Sequence, residues 1–341
     1  MRNSSFKDVG RIVAIGDLHG NFGGLCKILL KTGLINRYGH WIAEDTHLIQ
    51  LGDILGRGGE PGKIFKLLRQ LEAEAPEFNS HVHVLLGNHE AMSMSGLVMY
   101  NTMEEFQDLS EQDFIDPIPN DKQGDIDHIE NISSSFNSSP DWKAVPSLEN
   151  SVAQSGSGSS AIERKLANSK LNRRMEMLGC LEFRKSLAPW GKVGKWLATH
   201  DSAVIINDTL FVHGGLNRAH GLQPLEILND TVRRELNAHA VPDANKDVML
   251  KRDGPQWNRD FTLKPNDKKG AELAEVLDYH GCLRMVVGHT PTSCIDKGQA
   301  GRILPLYDEK LLCIDTGIGK SYGENLSALS LEPSYASALY L

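Results

Sequence analysis

Apolar residues in the first ninety positions fall into three short, β-branched runs, each closed by glycine and a polar cluster. Residues 11–16 (RIVAIG) run into Asp17-Leu18-His19-Gly20, residues 47–51 (HLIQL) into Gly52-Asp53, and residues 81–86 (HVHVLL) into Gly87-Asn88-His89-Glu90. Runs of this length and composition predict strands. Helical spacing lies between them. Asn21 is placed to cap a helix reaching about Thr32, with Leu25, Ile28, Leu29 and Leu30 on its apolar side, and a second helical pattern covers residues 61–75. Strand, polar loop and helix in repetition describe βαβ units, whose ligands collect at the carboxyl ends of the strands.

The texture changes near Gln107. From there to about Lys170 the chain is polar, with SSSFNSSP at 133–140 and SVAQSGSGSS at 151–160. This stretch lacks periodicity and large apolar residues, so it cannot offset chain entropy and is expected to be a disordered, Ser-rich insertion. Patterning resumes near Leu171. Residues 204–206 and 209–212 predict paired strands turned by Asn207-Asp208, and the second leads to His213-Gly214-Gly215. A helical pattern spans 224–238. Residues 283–287 (LRMVV) lead to Gly288-His289-Thr290-Pro291, and 310–314 and 328–331 predict closing strands. The expectation is one catalytic domain over residues 8–335, interrupted at about 107–170.

Composition narrows the function classes. The 341 residues are enough for a large core, and 40% hydrophobic with 23% charged residues is ordinary globular usage. A formal net charge of −8 argues against a nucleic-acid partner, which needs a basic face. Cys26, Cys180, Cys282, Cys294 and Cys313 are scattered without a CxxC, which suits a reducing compartment better than a disulfide framework. The opening residues lack a secretory apolar region, and no run approaches the roughly 20 residues that cross a bilayer. A cytoplasmic or nuclear place is expected, with no membrane partner.

The candidate chemistry stands at the strand ends: Asp17, His19, Asp53, Asn88, His89, His213 and His289. Glycines in the same loops let the backbone turn sharply there. With His89 set aside for proton transfer, two carboxylates, one amide oxygen and three imidazoles remain. That mixed set suits Mn, Fe or Zn, whereas an all-oxygen shell suits Mg or Ca. Two such ions would lower the pKa of a shared water and clamp both oxygens of an in-line displacement. Each motif alone is an ordinary turn. Five of them, each after a predicted strand, point together to a metal site. Arg57, four residues past Asp53, is placed to reach a phosphate there.

Gly16-Asp-Leu-His-Gly20, Gly52-Asp-Ile-Leu-Gly-Arg-Gly58, Gly87-Asn-His-Glu90, His213-Gly-Gly215 and Gly288-His-Thr-Pro291 resemble the signature of the calcineurin-like metallophosphoesterases. Within these, the chain is most similar to the phosphoprotein phosphatase superfamily. Asp253-Gly-Pro-Gln-Trp-Asn-Arg259, taken with the GHTP run, resembles the Shewanella-like protein phosphatase branch. The likeness covers residues 11–97 and roughly 187–331. It implies a four-layer α/β sandwich, two mixed β-sheets flanked by helices. It also implies two divalent metal ions, with Mn favoured over Fe or Zn, and a phosphoprotein or phosphopeptide substrate. Asp17 and His19 would bind the first ion, Asp53 would bridge, and Asn88, His213 and His289 would bind the second. A hydroxide bridging the two ions would attack the phosphate monoester, His89 would protonate the leaving oxygen, and Arg57 would grip the phosphate. Arg259 is the second candidate phosphate arginine, with Arg252 as its rival. Trp257 is either a pocket wall or core.

One position departs from the family pattern. Gly56 stands where an aspartate usually orients the histidine of the GNHE run, and Glu60 is the one acidic substitute nearby. A less basic, less well held His89 favours substrates with good leaving groups, so phosphotyrosine is expected ahead of phosphoserine and phosphothreonine. Restoring aspartate at 56 would narrow that gap, unless the glycine is needed for its backbone angle. Two other readings accompany this one: a dinucleoside-polyphosphate hydrolase of the same fold, and a weakly active or inactive binding module.

Overall fold

The computed structural model describes residues 3–111, 179–238, 247–333 and 335–341. Among these, the strands form two mixed sheets. β2 (Arg11–Ile15), β3 (Thr46–Gln50) and β4 (His81–Val84) are parallel, and β10 (Ser327–Glu332) and β11 (Tyr335–Tyr340) add antiparallel on the β2 side. The other sheet runs β1 (Ser5–Phe6), β5 (Ala203–Ile206), β6 (Thr209–Val212), β7 (Arg284–Val287), β9 (Leu311–Cys313), β8 (Leu304–Leu306).

Alternation along the strands explains the layers, because successive side chains leave opposite faces. Ile12, Ala14, Ile49 and Leu51 meet Val204, Ile206, Phe211, Val286 and Leu312 in one core between the sheets. The intervening residues face outward. Val13, Ile15 and Leu48 pack with Leu25, Ile28 and Leu29 of α1 (Phe22–Lys31) and Ile64, Phe65 and Leu68 of α2 (Pro61–Glu74). Leu210, Val212, Met285 and Val287 pack with helices Leu225–Asn237 and Asp267–His280. Covering on both faces is why the central strands read as unbroken apolar runs.

Local signals hold where they were specific. Asn21 caps α1, its side chain accepting the N–H of Gly24 at 2.9 Å, and Asn207 turns β5 into β6 with φ 56°. The insertion boundary needs correction. Residues 107–111 belong to a helix, α4 (Met103–Glu111), in which Phe106 and Leu109 are buried and Asp108 accepts the N–H of Gly62 at 2.5 Å. Its apolar residues recur only every third position, so the polar composition concealed it. The rest of the expected insertion, 112–170, lies outside the described residues. No described helix is long and apolar enough to cross a membrane.

Candidate metal centre

The parallel strands of both sheets end toward one pocket. β2 delivers Asp17 and His19, β3 delivers Asp53, and Asn88 and His89 open α3 (Asn88–Met94) just past β4. From the second sheet β6 delivers His213 and β7 delivers His289. All seven are buried. His19, Asp53 and His289 adopt left-handed φ of 44°, 53° and 63°, a conformation most side chains avoid and that the surrounding bonds must impose.

Those bonds are specific. The Glu90 carboxylate accepts the N–H groups of Asp53, Ile54, Leu55 and Gly87 at 2.8–2.9 Å, which fixes the Asp53 turn. The Asp53 carbonyl accepts the N–H groups of Leu18 and His19. Nδ1 of His19 lies 2.9 Å from the Gly56 carbonyl, and Nδ1 of His213 lies 2.8 Å from the Leu51 carbonyl, which ties one sheet to the other. With Nδ1 engaged by backbone, each ring turns Nε2 into the pocket. Nε2 of His213 is 3.1 Å from Oδ1 of Asn88 and 3.4 Å from Oδ1 of Asp53. Nε2 of His19 and of His89 lie 4.0 and 3.8 Å from Oδ2 of Asp53. Nε2 of His289 is buried and has no hydrogen-bond partner.

Among the described residues, two groups have nitrogen and oxygen atoms all within 4.8 Å of one another: His19, Asp53, His89 and Asp53, His213, His289. Asp53 is common to both. His89, not Asp17, completes the group with His19. Both Asp17 oxygens accept the N–H of His289, at 3.1 and 3.2 Å.

The electrostatics describe a pocket crowded with lone pairs. Burial raises the Asp17 carboxyl well above its usual range, and the charges of Asp315 and Asp53 push it further. Asp315 is likewise raised to about 7, chiefly by burial. Burial also pushes Asp53 up, but the imidazoles of His213, His89, His19 and His289 outweigh it and hold that carboxyl below its usual range. His19 is lowered to about 4 and His289 well below 6.5, both mainly by burial, so these rings are neutral and available as ligands.

The rim carries the arginines. Arg57 (φ 68°) is exposed, and its guanidinium lies 4.8 Å from the ring centroid of Tyr100 and 5.6 Å from that of Tyr322. Tyr322 stacks in turn on His19, centroids 5.1 Å apart. Arg259 reaches the site, donating to the His289 carbonyl at 3.1 Å and to Oγ1 of Thr290 at 3.3 Å. Arg252 is exposed. Trp257 does both things expected of it: it packs against the core and sits 5.9 Å from the His289 ring. Glu60 does not replace the missing aspartate, because its carboxylate pairs with Lys63 at 2.6 Å. At Gly56 (φ 78°) an added Cβ would lie 2.0 Å from Nδ1 of His89, so the imidazole occupies the space a side chain would need.

Residues 10–154 match the family model described as calcineurin-like phosphoesterase. The chain carries a calcineurin-like metallophosphoesterase domain. It is a hydrolase acting on phosphoesters, a class that works with divalent metal ions, and the two groups sharing Asp53 are candidate positions for them. The phosphoesterase is 27% identical over 331 residues to Shewanella-like protein phosphatase 2 of Arabidopsis thaliana, covering 94% of this chain and 74% of that one. It is 24% identical over 286 residues to Shewanella-like protein phosphatase 1 of Plasmodium berghei, covering 82% and 61%. In fold it matches the cold-active protein-tyrosine phosphatase of a psychrophile Shewanella species, with TM-score 0.67 and 20% identity over 100% of this chain and 83% of that one. A protein serine/threonine phosphatase from Saccharomyces cerevisiae matches with TM-score 0.53 and 14% identity, over 97% and 76%.

The metal fit can be judged from the residues themselves. Several buried carboxylates repel one another, neutral imidazoles face them, and Nε2 of His289 is orphaned. A cation would satisfy all three. Sequence reasoning passed over Asp315, Glu90, Tyr100 and Tyr322. Asp315 carried a findable signal, since it follows β9 and precedes Thr316-Gly317 in the same strand-then-glycine pattern.

Proposed function

We propose that this phosphoesterase is a metal-dependent protein phosphatase that hydrolyses phosphate monoesters and prefers phosphotyrosine to phosphoserine and phosphothreonine. Asp17, His19, Asp53, Asn88, His213 and His289 would hold two divalent ions, Mn²⁺ being well suited to this mixed set. When bound, such ions supply an activated water at neutral pH and neutralise developing charge. Arg57, which makes no ion pair among the described residues, holds the non-bridging phosphate oxygens, and Arg259 steadies the opposite side. His89 donates a proton from Nε2 to the leaving oxygen. The names of the relatives support a protein substrate, and the free thiols of all five cysteines suit a cytosolic setting.

The preference rests on the Gly56–His89 contact. No described carboxylate hydrogen-bonds Nδ1 of His89, and its pKa is lowered, by burial first and by Arg57 in part, against the pull of Asp53. An imidazole that is reluctant to carry a proton is a weak acid catalyst. That costs little for a tyrosine oxygen with pKa about 10, and far more for an alkyl alcohol near water's value of about 15.7. Side-by-side kcat/KM on matched phosphotyrosine and phosphothreonine peptides tests this. The phosphotyrosine value should be at least tenfold higher; equality, or the reverse order, rejects the reading.

A further inference from the structure

The loop that carries Arg57 is held from outside the site by one short segment. Arg57 donates its backbone N–H to the Tyr100 carbonyl at 2.9 Å. The N–H of Gly58 goes to Oε1 of Glu105 at 3.1 Å, and Oγ1 of Thr102 donates to the Gly58 carbonyl at 3.2 Å. On the other flank the loop lies against His19, where a Cβ on Gly58 would fall 1.5 Å from the His19 carbonyl oxygen. A shift in residues 56–58 therefore moves the guanidinium relative to the metal ligands.

Glu105 is the keystone of this contact. Its side chain is buried, and among the described residues it has no cationic partner. Its other oxygen accepts Nδ2 of Asn101 at 2.7 Å and the N–H of Thr102 at 3.4 Å. A carboxylate accepts on both oxygens, so it serves these three donors at once. Glutamine offers one accepting oxygen and would set its amide N–H groups against donors on the other side.

We infer that Glu105 is a positioning residue for phosphate binding, holding the Gly56–Gly58 loop so that the Arg57 guanidinium meets the substrate's phosphate oxygens. This rests on the reading of Arg57 as a phosphate ligand. Glu105 touches neither substrate nor the metal ligands; it acts through the loop. Burying a carboxylate without a cationic partner works against stability. Holding the Gly58 N–H on one oxygen while the other anchors the carboxylate to Asn101 and Thr102 is a task that glutamine, with one accepting oxygen, does not fulfil.

A double-mutant cycle on the Mn²⁺-loaded full chain tests it, reading KM for an aryl phosphate and the inhibition constant of inorganic phosphate. Glu105→Gln should raise both about tenfold, with kcat changed less than about threefold. Thr102→Val, a milder loss from the same contact and a safeguard if Glu105→Gln fails to fold, should raise both about threefold. In an Arg57→Ala background either substitution should change them less than twofold. If Arg57→Ala raises KM but the Glu105 and Thr102 effects simply multiply with it, the inference fails and the reading of Arg57 stands. If Arg57→Ala leaves KM and phosphate inhibition unchanged, that reading fails and takes the inference with it.

Discussion

Strands β3 and β4 run between two histidine clusters, and the two clusters behave differently. At their carboxyl ends His89 joins His19, His213 and His289 around Asp53, with Asp17 and Asp315 close by. Along the strands themselves His47, His81 and His83 gather around Phe6 of β1, whose ring lies 5.3, 5.6 and 4.8 Å from theirs. His83 and His47 share a hydrogen bond, Nε2 to Nδ1, at 3.0 Å. Burial lowers His47 and His83 in the second as it lowers His19 and His289 in the first. Only the first surrounds a carboxylate, and only it contains groups able to hold an ion. What separates a ligand set from a packing set is therefore the buried carboxylates, not the histidines.

Removing the shared carboxylate charge is the severest way to break that contrast. Asp53→Asn should lower kcat at least a thousandfold with Mn²⁺ present, because one substitution touches both candidate groups. Circular dichroism should be unchanged, since Glu90 still grips the loop backbone. Chelation should match the loss and Mn²⁺ should reverse it. Turnover persisting in fully stripped protein would refute the metal mechanism.

The rim should respond less. Arg57→Ala removes charge-assisted hydrogen bonds worth about 1.5–3 kcal/mol, so kcat/KM should fall roughly 10- to 100-fold, mostly through KM. Tyr322→Leu removes one face of the guanidinium's support, about 0.5–1 kcal/mol, and should cost roughly threefold. Tyr322→Phe keeps the ring and should recover most of it. A Phe variant as impaired as Leu would assign the effect to the hydroxyl instead.

Gly56→Asp sharpens the comparison in an unexpected direction. From sequence alone, aspartate at this position would help His89 and narrow the gap between substrates, unless the glycine is needed for its backbone angle. In the structure the backbone is left-handed and His89 fills the side-chain space, so the substitution should cost about tenfold on phosphotyrosine and phosphothreonine peptides alike. A selective gain on phosphothreonine would mean that the loop relaxes and the carboxylate finds Nδ1.

That reversal marks the limit of what the sequence could disclose. The residues that gather at the strand ends were legible because each follows a strand and sits beside glycine, a local pattern. The central strands and helices were legible because apolar runs and helix spacing are also local, whereas the four-layer order came from the family resemblance. Tyr100, Glu105 and Tyr322 carry no such signature. Their role exists only once α4 and the loop before β10 fold against residues 56–58. The strands β1, β8 and β11 were missed for a related reason: they are two, three and six residues long at or beside sheet edges, with too little buried surface to pattern the sequence.

The smallest expected effect belongs to the packing cluster and is one of stability. Burial first, then neighbouring imidazoles, lowers His47 to about 4 and His83 well below 6.5. Asp45 pulls His47 the other way, and His200, held 2.7 Å from Glu72, adds to the pressure on His83. A histidine depressed in the folded state stabilises it while both states are neutral. That contribution is complete above pH about 6.5 and is lost as pH falls toward 4, where the unfolded chain takes up protons the folded chain refuses. At pH 5 the loss from one such ring is at most about 2 kcal/mol, less whatever residual solvent screens. Urea midpoints measured from pH 7.5 to 5 should therefore fall, and fall less steeply in His83→Gln, by about 1 kcal/mol over that range. At pH 7.5 the variant's kcat should stay within twofold of the parent, since the ring lies on the strand and not at its carboxyl end. An unchanged acid slope would mean that His83 is protonated without cost, and a large loss of kcat would mean that the two clusters are not separate.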